Sequence, residues 1–129
     1  MAGNAEIIRN LYGAFDRDDL PAVLGVLDRD VVWIEAEGFP YAGSYTGTDA
    51  VVQGVLARLG TEWEDFNAVP HQFVAEGDTV VALGEYSGRY KATGKKFSAP
   101  FAHVWTLRGG KVVRFRQYTD TLVVDRALR

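Results

Sequence analysis

Two hydrophobic periods divide this chain. In NAEIIRNLYGAFDRDDL, Ile7, Ile8, Leu11, Tyr12 and Phe15 recur at spacings of three and four, so they share one face of a helix that should end near Asp16. Asp18 and Asp19 precede Leu20-Pro21-Ala22-Val23-Leu24, where a carboxylate can cap free amides and proline fits a first turn. A short second helix is expected there, reaching about Leu27. DVVWIEAEG is β-branched and aromatic and closes at glycine, which reads as a strand. FPYAGSYTG then reads as a loop. GTDAVVQGVLARLG returns to helical spacing, with Thr48 as cap, Val51, Val52, Val55, Leu56 and Leu59 as the apolar stripe and Gly60 as the stop.

From Glu62 onward the period changes to extended runs, broken by turn signals at Glu76-Gly77-Asp78, Thr93-Gly94 and Gly109-Gly110. Four strands of about ten residues each follow, long enough to twist or bulge. Pro100 inside one of them predicts a bulge or an edge. Three helices gathered near the start cannot alternate with the strands, so they should cover one face of a mostly antiparallel sheet. The fold class expected is α+β, one domain over residues 1–129, with a pocket between helices and a strongly curved sheet.

Composition removes several functions. The net charge of -3, with no basic stripe, gives nucleic-acid phosphates nothing to hold. With no cysteine there is neither a disulfide framework nor a thiolate metal site. His71 and His103 are the only histidines and lack metal-motif spacing, and KATGKK lacks the spacing of a phosphate-binding loop. No metal and no cofactor is expected. MAGNAEII does not read as a signal peptide and no apolar run reaches membrane-span length, so the expected location is cytoplasmic, with no membrane partner.

The closing hairpin, HVWTLRGGKVVRFRQYTD, holds the candidate chemistry. A two-residue turn at Gly109-Gly110 would place His103 opposite Arg116, Phe101 opposite Tyr118 and Ala99 opposite Asp120, all on one face with Trp105. In that register His103 and Asp120 share a cavity but stand roughly 13 Å apart along the strands, so they do not form a pair. Arg116 would oppose protonation of His103, which is therefore read as a neutral hydrogen-bonding group first and a base second.

FDRDDLPAVLGVLDRDVVW, PYAGSYTGTDAVV, AEGDTVVALGEYSG and FAHVWTLRGGKVVRFRQYTD, in that order and spacing, resemble the NTF2-like superfamily, and within it the SnoaL-like and ketosteroid-isomerase-related branch. The resemblance implies a cone-shaped α+β fold with an internal pocket, commonly a homodimer through the outer sheet face. It matches Asp120 in RQYTD to the acid/base carboxylate of the polyketide-cyclase branch. It places the isomerase base at Glu35, the isomerase phenol at Leu11 beside Tyr12, and the isomerase acid at Ala102 beside His103.

Aldol closure and double-bond isomerisation both begin by removing a proton next to a carbonyl, a task suited to a carboxylate whose pKa is raised in an apolar cavity. Asp120 and Glu35 are the candidate bases. His103, Tyr118 and Tyr86 are candidate donors to the enolate oxygen. Trp33, Phe101 and Trp105, with Tyr12 and Arg116, complete the candidate binding set for an apolar or ring-bearing molecule. The alternative function is a protein of the same fold that binds such a molecule without changing it.

Overall fold

The computed structural model describes residues 3–129. Helix α1 (Asn4–Asp16) buries Ile8, Leu11 and Tyr12 of the expected stripe, with Ala14 added and Ile7 and Phe15 only partly buried against the core. Asp18 then takes a left-handed φ of 54°, and Asp19 opens α2 (Leu20–Val26) by accepting from Ala22 N–H at 3.2 Å. Pro21 sits in the first turn, where its missing N–H costs nothing. Strand β1 (Leu27–Glu35) leads off without a loop, and its buried positions Val31, Trp33 and Glu35 alternate.

The segment expected as a loop contains a short strand, β2 (Gly43–Thr46), paired antiparallel with β1. The third expected helix is continuous but not uniform: α3 (Thr48–Val51), a π-helical segment (Val52–Leu56) and α4 (Ala57–Glu62). It runs past Gly60, and its cap residue is Gly47 rather than Thr48. At Gly54 an added Cβ would run into the Tyr45 ring, 2.6 Å from Cδ1, so the wider turn carries the residue against which β2 packs.

Strands β3 (Trp63–Glu76), β4 (Thr79–Tyr90), β5 (Lys96–Arg108) and β6 (Lys111–Thr119) form the meander that the turn signals predict, and α5 (Thr121–Ala127) follows. The sheet order is β2-β1-β6-β5-β4-β3, antiparallel except where β1 meets β6. The α+β class and the mostly antiparallel sheet stand as expected, with β2 and α5 added. Pro100 marks an edge rather than a bulge, because β6 pairing ends at Phe101 opposite Thr119. No helix among the described residues is long and apolar enough to cross a membrane.

Bulges shape the sheet. In β3 the register slips between Pro70 and Gln72, and Gly84 of β4 lies beneath the slip. A Cβ at Gly84 would overlap the Val69 carbonyl oxygen and stand 2.8 Å from Pro70 Cα, both backbone atoms that cannot rotate away. Gly84→Ala is therefore expected to lose about 2 kcal/mol of stability in urea unfolding, the usual size of overpacking in a tight interior. An unchanged midpoint would mean that the two strands separate freely at the slip.

The decisive bulge is in the closing hairpin. Arg108 faces Lys111 and Leu107 faces Val112, but Thr106 faces Arg114, leaving Val113 as the extra residue. One added residue exchanges the two faces of everything beyond it. His103 consequently lies opposite Gln117 and not Arg116, and Phe101 opposite Thr119 and not Tyr118.

Candidate functional site

Two rows of side chains cross the face of the sheet that carries the core. Trp33 of β1 pairs with Phe115 of β6, which pairs with Trp105 of β5. Two residues further along, Glu35 comes level with Gln117, which pairs with His103. α1 supplies Tyr12 and β4 supplies Tyr86, and together these groups line a cavity of about 590 Å³. Its walls also take in Phe39, Val55, Leu56, Trp63 and Phe66, so ring faces dominate.

His103 is buried and both its ring nitrogens are occupied, Nδ1 by the Tyr12 hydroxyl and Nε2 by the Tyr86 hydroxyl. Trp105 Nε1–H donates to the Tyr12 oxygen at 3.0 Å, and Gln117 Nε2–H donates to the Tyr86 oxygen at 3.0 Å. Gln117 is itself held by Ala36 N–H, which donates to its Oε1 at 3.0 Å. Burial pushes the imidazole down to about 3, so it is neutral under ordinary conditions. Burial raises both phenols, and at Tyr86 the negative charge of Glu35 acts in the same direction.

Glu35 is the buried carboxyl of the cavity, 4% exposed. Desolvation pushes it up to about 8, opposed in part by the Trp33 indole N–H. That N–H stands short of a well-formed bond, since Trp33 Nε1 is buried with no partner of acceptable geometry. The indole N–H thus lies unsatisfied on the same strand as the carboxyl, an arrangement that native interiors rarely leave without a purpose.

Of the residues singled out from sequence, Glu35, His103, Tyr12, Tyr86, Trp33 and Trp105 line the cavity together. Phe101 lies behind it, stacked on His103 with ring centroids 4.0 Å apart. Three positions move out because of the Val113 bulge. Arg116 and Tyr118 point to the outer face of the sheet, with the guanidinium 5.3 Å above the Tyr118 ring. Asp120 is exposed and accepts from Val123 N–H at 3.2 Å as the cap of α5, so it shares no cavity with His103. Leu11 and Ala102, the aligned donor positions, are absent from the lining, while their neighbours Tyr12 and His103 are present.

Gln117 was missed. Its signal was the spacing of three between Val112 and Phe115, both buried, which breaks the two-residue period and announces the bulge. Asp120→Ala is expected to cost about 1 kcal/mol of stability through the lost cap and to leave ligand binding in the cavity intact. Thermal unfolding and a ring-ketone titration of the same variant check both halves.

An α+β cone whose helices close a pocket against a curved sheet is the architecture of NTF2-like proteins. The SnoaL-like domain family model matches residues 8–115, and the chain belongs to that family. An NTF2-like protein from Burkholderia thailandensis is 40% identical with a TM-score of 0.96, the match covering 100% of this chain and 99% of that one. An NTF2-like protein of unknown function from Burkholderia pseudomallei is 30% identical over 98% of both chains, with a TM-score of 0.90. TerC, crystallised with polyporic acid, is 27% identical over 97% of both chains, with a TM-score of 0.87. No curated protein matches the chain.

Proposed function

We propose that this protein is a cofactor-independent acid/base enzyme that moves a proton next to the carbonyl of a ring-bearing ketone, the opening step of an aldol cyclisation or an isomerisation. The observation that carries the reading is Glu35, a carboxyl buried in an aromatic cavity beside a Trp33 indole N–H that has no partner of acceptable geometry. Desolvation makes it a stronger base once ionised. In the first step the substrate C–H bond breaks, the proton passes to a Glu35 oxygen, and the electron pair moves onto the carbonyl oxygen as an enolate. The Tyr12–His103–Tyr86 chain is fixed in place to meet that oxygen, and preorganised donors of this kind contribute the larger part of such catalysis. The enolate carbon then either regains a proton from Glu35 at a new position or attacks a second carbonyl.

A volume of about 590 Å³ suits a ligand of two to four fused rings. The relative crystallised with polyporic acid supports a small organic occupant. The second reading is a carrier that holds such a molecule unchanged. It draws on Glu35 being mostly protonated at neutral pH, where it cannot act as a base.

The test is a carboxyl-labelled NMR titration of Glu35, alone and with a bicyclic aryl ketone (tetralone), run beside deuterium exchange at the ketone α-carbon. A transition near pH 8 that moves on ketone addition, together with exchange in excess of protein, supports the enzyme. Binding without exchange selects the carrier. A Glu35 transition at the ordinary carboxylate value removes the basis of both the base assignment and the pocket chemistry.

A further inference from the structure

The hydrogen bonds on either side of His103 fix how many donors the phenol–imidazole chain can offer the cavity. Ala36 N–H must donate, so Gln117 Oε1 must accept and Gln117 Nε2 must donate to Tyr86. Trp105 Nε1–H can only donate, so Tyr12 likewise accepts. Both phenol oxygens are therefore supplied with one proton from outside. Between them stands a neutral imidazole, with one N–H and one bare nitrogen.

Three protons remain for two contacts: two phenolic hydrogens and one imidazole hydrogen. Whichever phenol donates to the bare nitrogen uses its hydrogen. The other phenol accepts from the imidazole N–H as well as from its outer partner, and its own O–H has no place within the chain. In either tautomer a single phenolic O–H is left over, on Tyr12 or on Tyr86. Both phenols line the cavity.

The rest of the cavity restricts the charge of what can use that hydrogen. Among the described residues no lysine or arginine lines it, whereas Asp16, Asp18, Asp19 and Asp65 stand among its lining residues with Glu35 inside. Arg17 is turned to Asp19, at 3.5 Å. A carboxylate or phosphate ligand would be desolvated with no cation to meet it, and would pass the exposed Asp16, Asp18 and Asp65 on entering. The unpartnered Trp33 N–H acts on Glu35 and does not enter the phenol chain.

Building on the reading of this cavity as a small-molecule site, we propose that it selects an uncharged or cationic ring compound presenting one acceptor oxygen to the phenol pair, and that Gln117 and Trp105 are the residues that set this specificity. They act as positioning residues: by donating inward from both ends, they force the spare hydrogen toward the ligand. A ligand oxygen at Tyr86 selects the Nε2–H tautomer of His103, and one at Tyr12 selects the Nδ1–H tautomer.

The experiment uses the full chain and three probes of one shape: tetralone, its hydrocarbon tetralin and the corresponding carboxylate. Calorimetry is expected to show the ketone binding at least tenfold tighter than either of the others. Nitrogen NMR of labelled His103 is expected to show a neutral ring throughout, with one protonated nitrogen in the ketone complex. Tyr12→Phe/Tyr86→Phe should bring ketone and hydrocarbon to equal affinity. If that double variant does not fold, the three-probe comparison on the wild-type chain decides alone.

Equal affinity for ketone and hydrocarbon in the wild-type chain, tighter binding of the carboxylate, or an imidazolium at neutral pH overturns the proposal. Failure here is separable from failure of the catalytic reading. Selective ketone binding without α-carbon exchange leaves the single-acceptor site standing and removes the enzyme, whereas exchange without ketone selectivity does the reverse.

Discussion

Glu35→Gln is expected to slow α-carbon exchange of tetralone by about a thousandfold, within the range that a positioned general base contributes, or about 4 kcal/mol of barrier. Glutamine keeps the size and hydrogen-bonding shape of the side chain but cannot take the proton. Because burial holds Glu35 up to about 8, only about a tenth of the wild-type molecules carry the carboxylate at pH 7. The wild-type rate should therefore climb nearly tenfold per unit of pH and level off above pH 8, while the residual rate of Glu35→Gln shows no such limb. Glu35→Asp should fall between the two, since it keeps the charge and withdraws it by one methylene from a fixed geometry. A Glu35→Gln variant that retains the pH-dependent limb would place the base elsewhere. The obvious rival is already displaced, as Asp120 caps α5 outside the cavity.

What was legible in the sequence follows from the range over which each signal acts. The stripe of α1 and the alternation of β5 are local and repeated, so Tyr12, His103 and Trp105 could be assigned to the core face from spacing alone. Glu35 was reached only through the family resemblance, and the alternation of Val31, Trp33 and Glu35 along β1 shows why that position is buried. The π-helical segment was hidden, because it depends on Gly54 meeting a tyrosine from another element. The cavity edge at β6 was misplaced for a related reason. Gly109-Gly110 does form the turn, but the strand adds Val113 three residues later, and that one residue sends Arg116 and Tyr118 outward and Gln117 inward. A parity change of this kind reverses every assignment downstream of it, so a correct turn with an unrecognised bulge yields a consistent but inverted face. The same inversion explains why His103 and Asp120 seemed to share a cavity.

The stability of the chain should trace a plateau with two falling limbs, each owned by one residue of the cavity. Glu35 is held at about 8 against 4.5 in an unfolded chain, so between those values the native state binds the extra proton and stability falls as pH rises. His103 is held at about 3 against 6.5, so across that window the unfolded state binds the extra proton and stability falls as pH drops. From 4.5 to 6.5 both effects operate with opposite sign and cancel, since native and unfolded chains each carry one proton on this pair. Above 6.5 only Glu35 acts and the loss approaches about 1.4 kcal/mol per unit up to pH 8; below 4.5 only His103 acts, with the same limiting slope down to pH 3. Urea unfolding across pH 3–9, compared between the wild-type chain and Glu35→Gln, isolates the first limb. The variant should lose the alkaline fall, and its stability relative to wild type should improve by several kcal/mol between pH 4 and pH 9, less whatever water enters the cavity to relieve the carboxylate. Its acid limb should remain, because the His103 nitrogens are still enclosed by Tyr12 and Tyr86. Parallel curves for wild type and variant would show that Glu35 is solvated in the native state, and with that its role as a desolvated base would go.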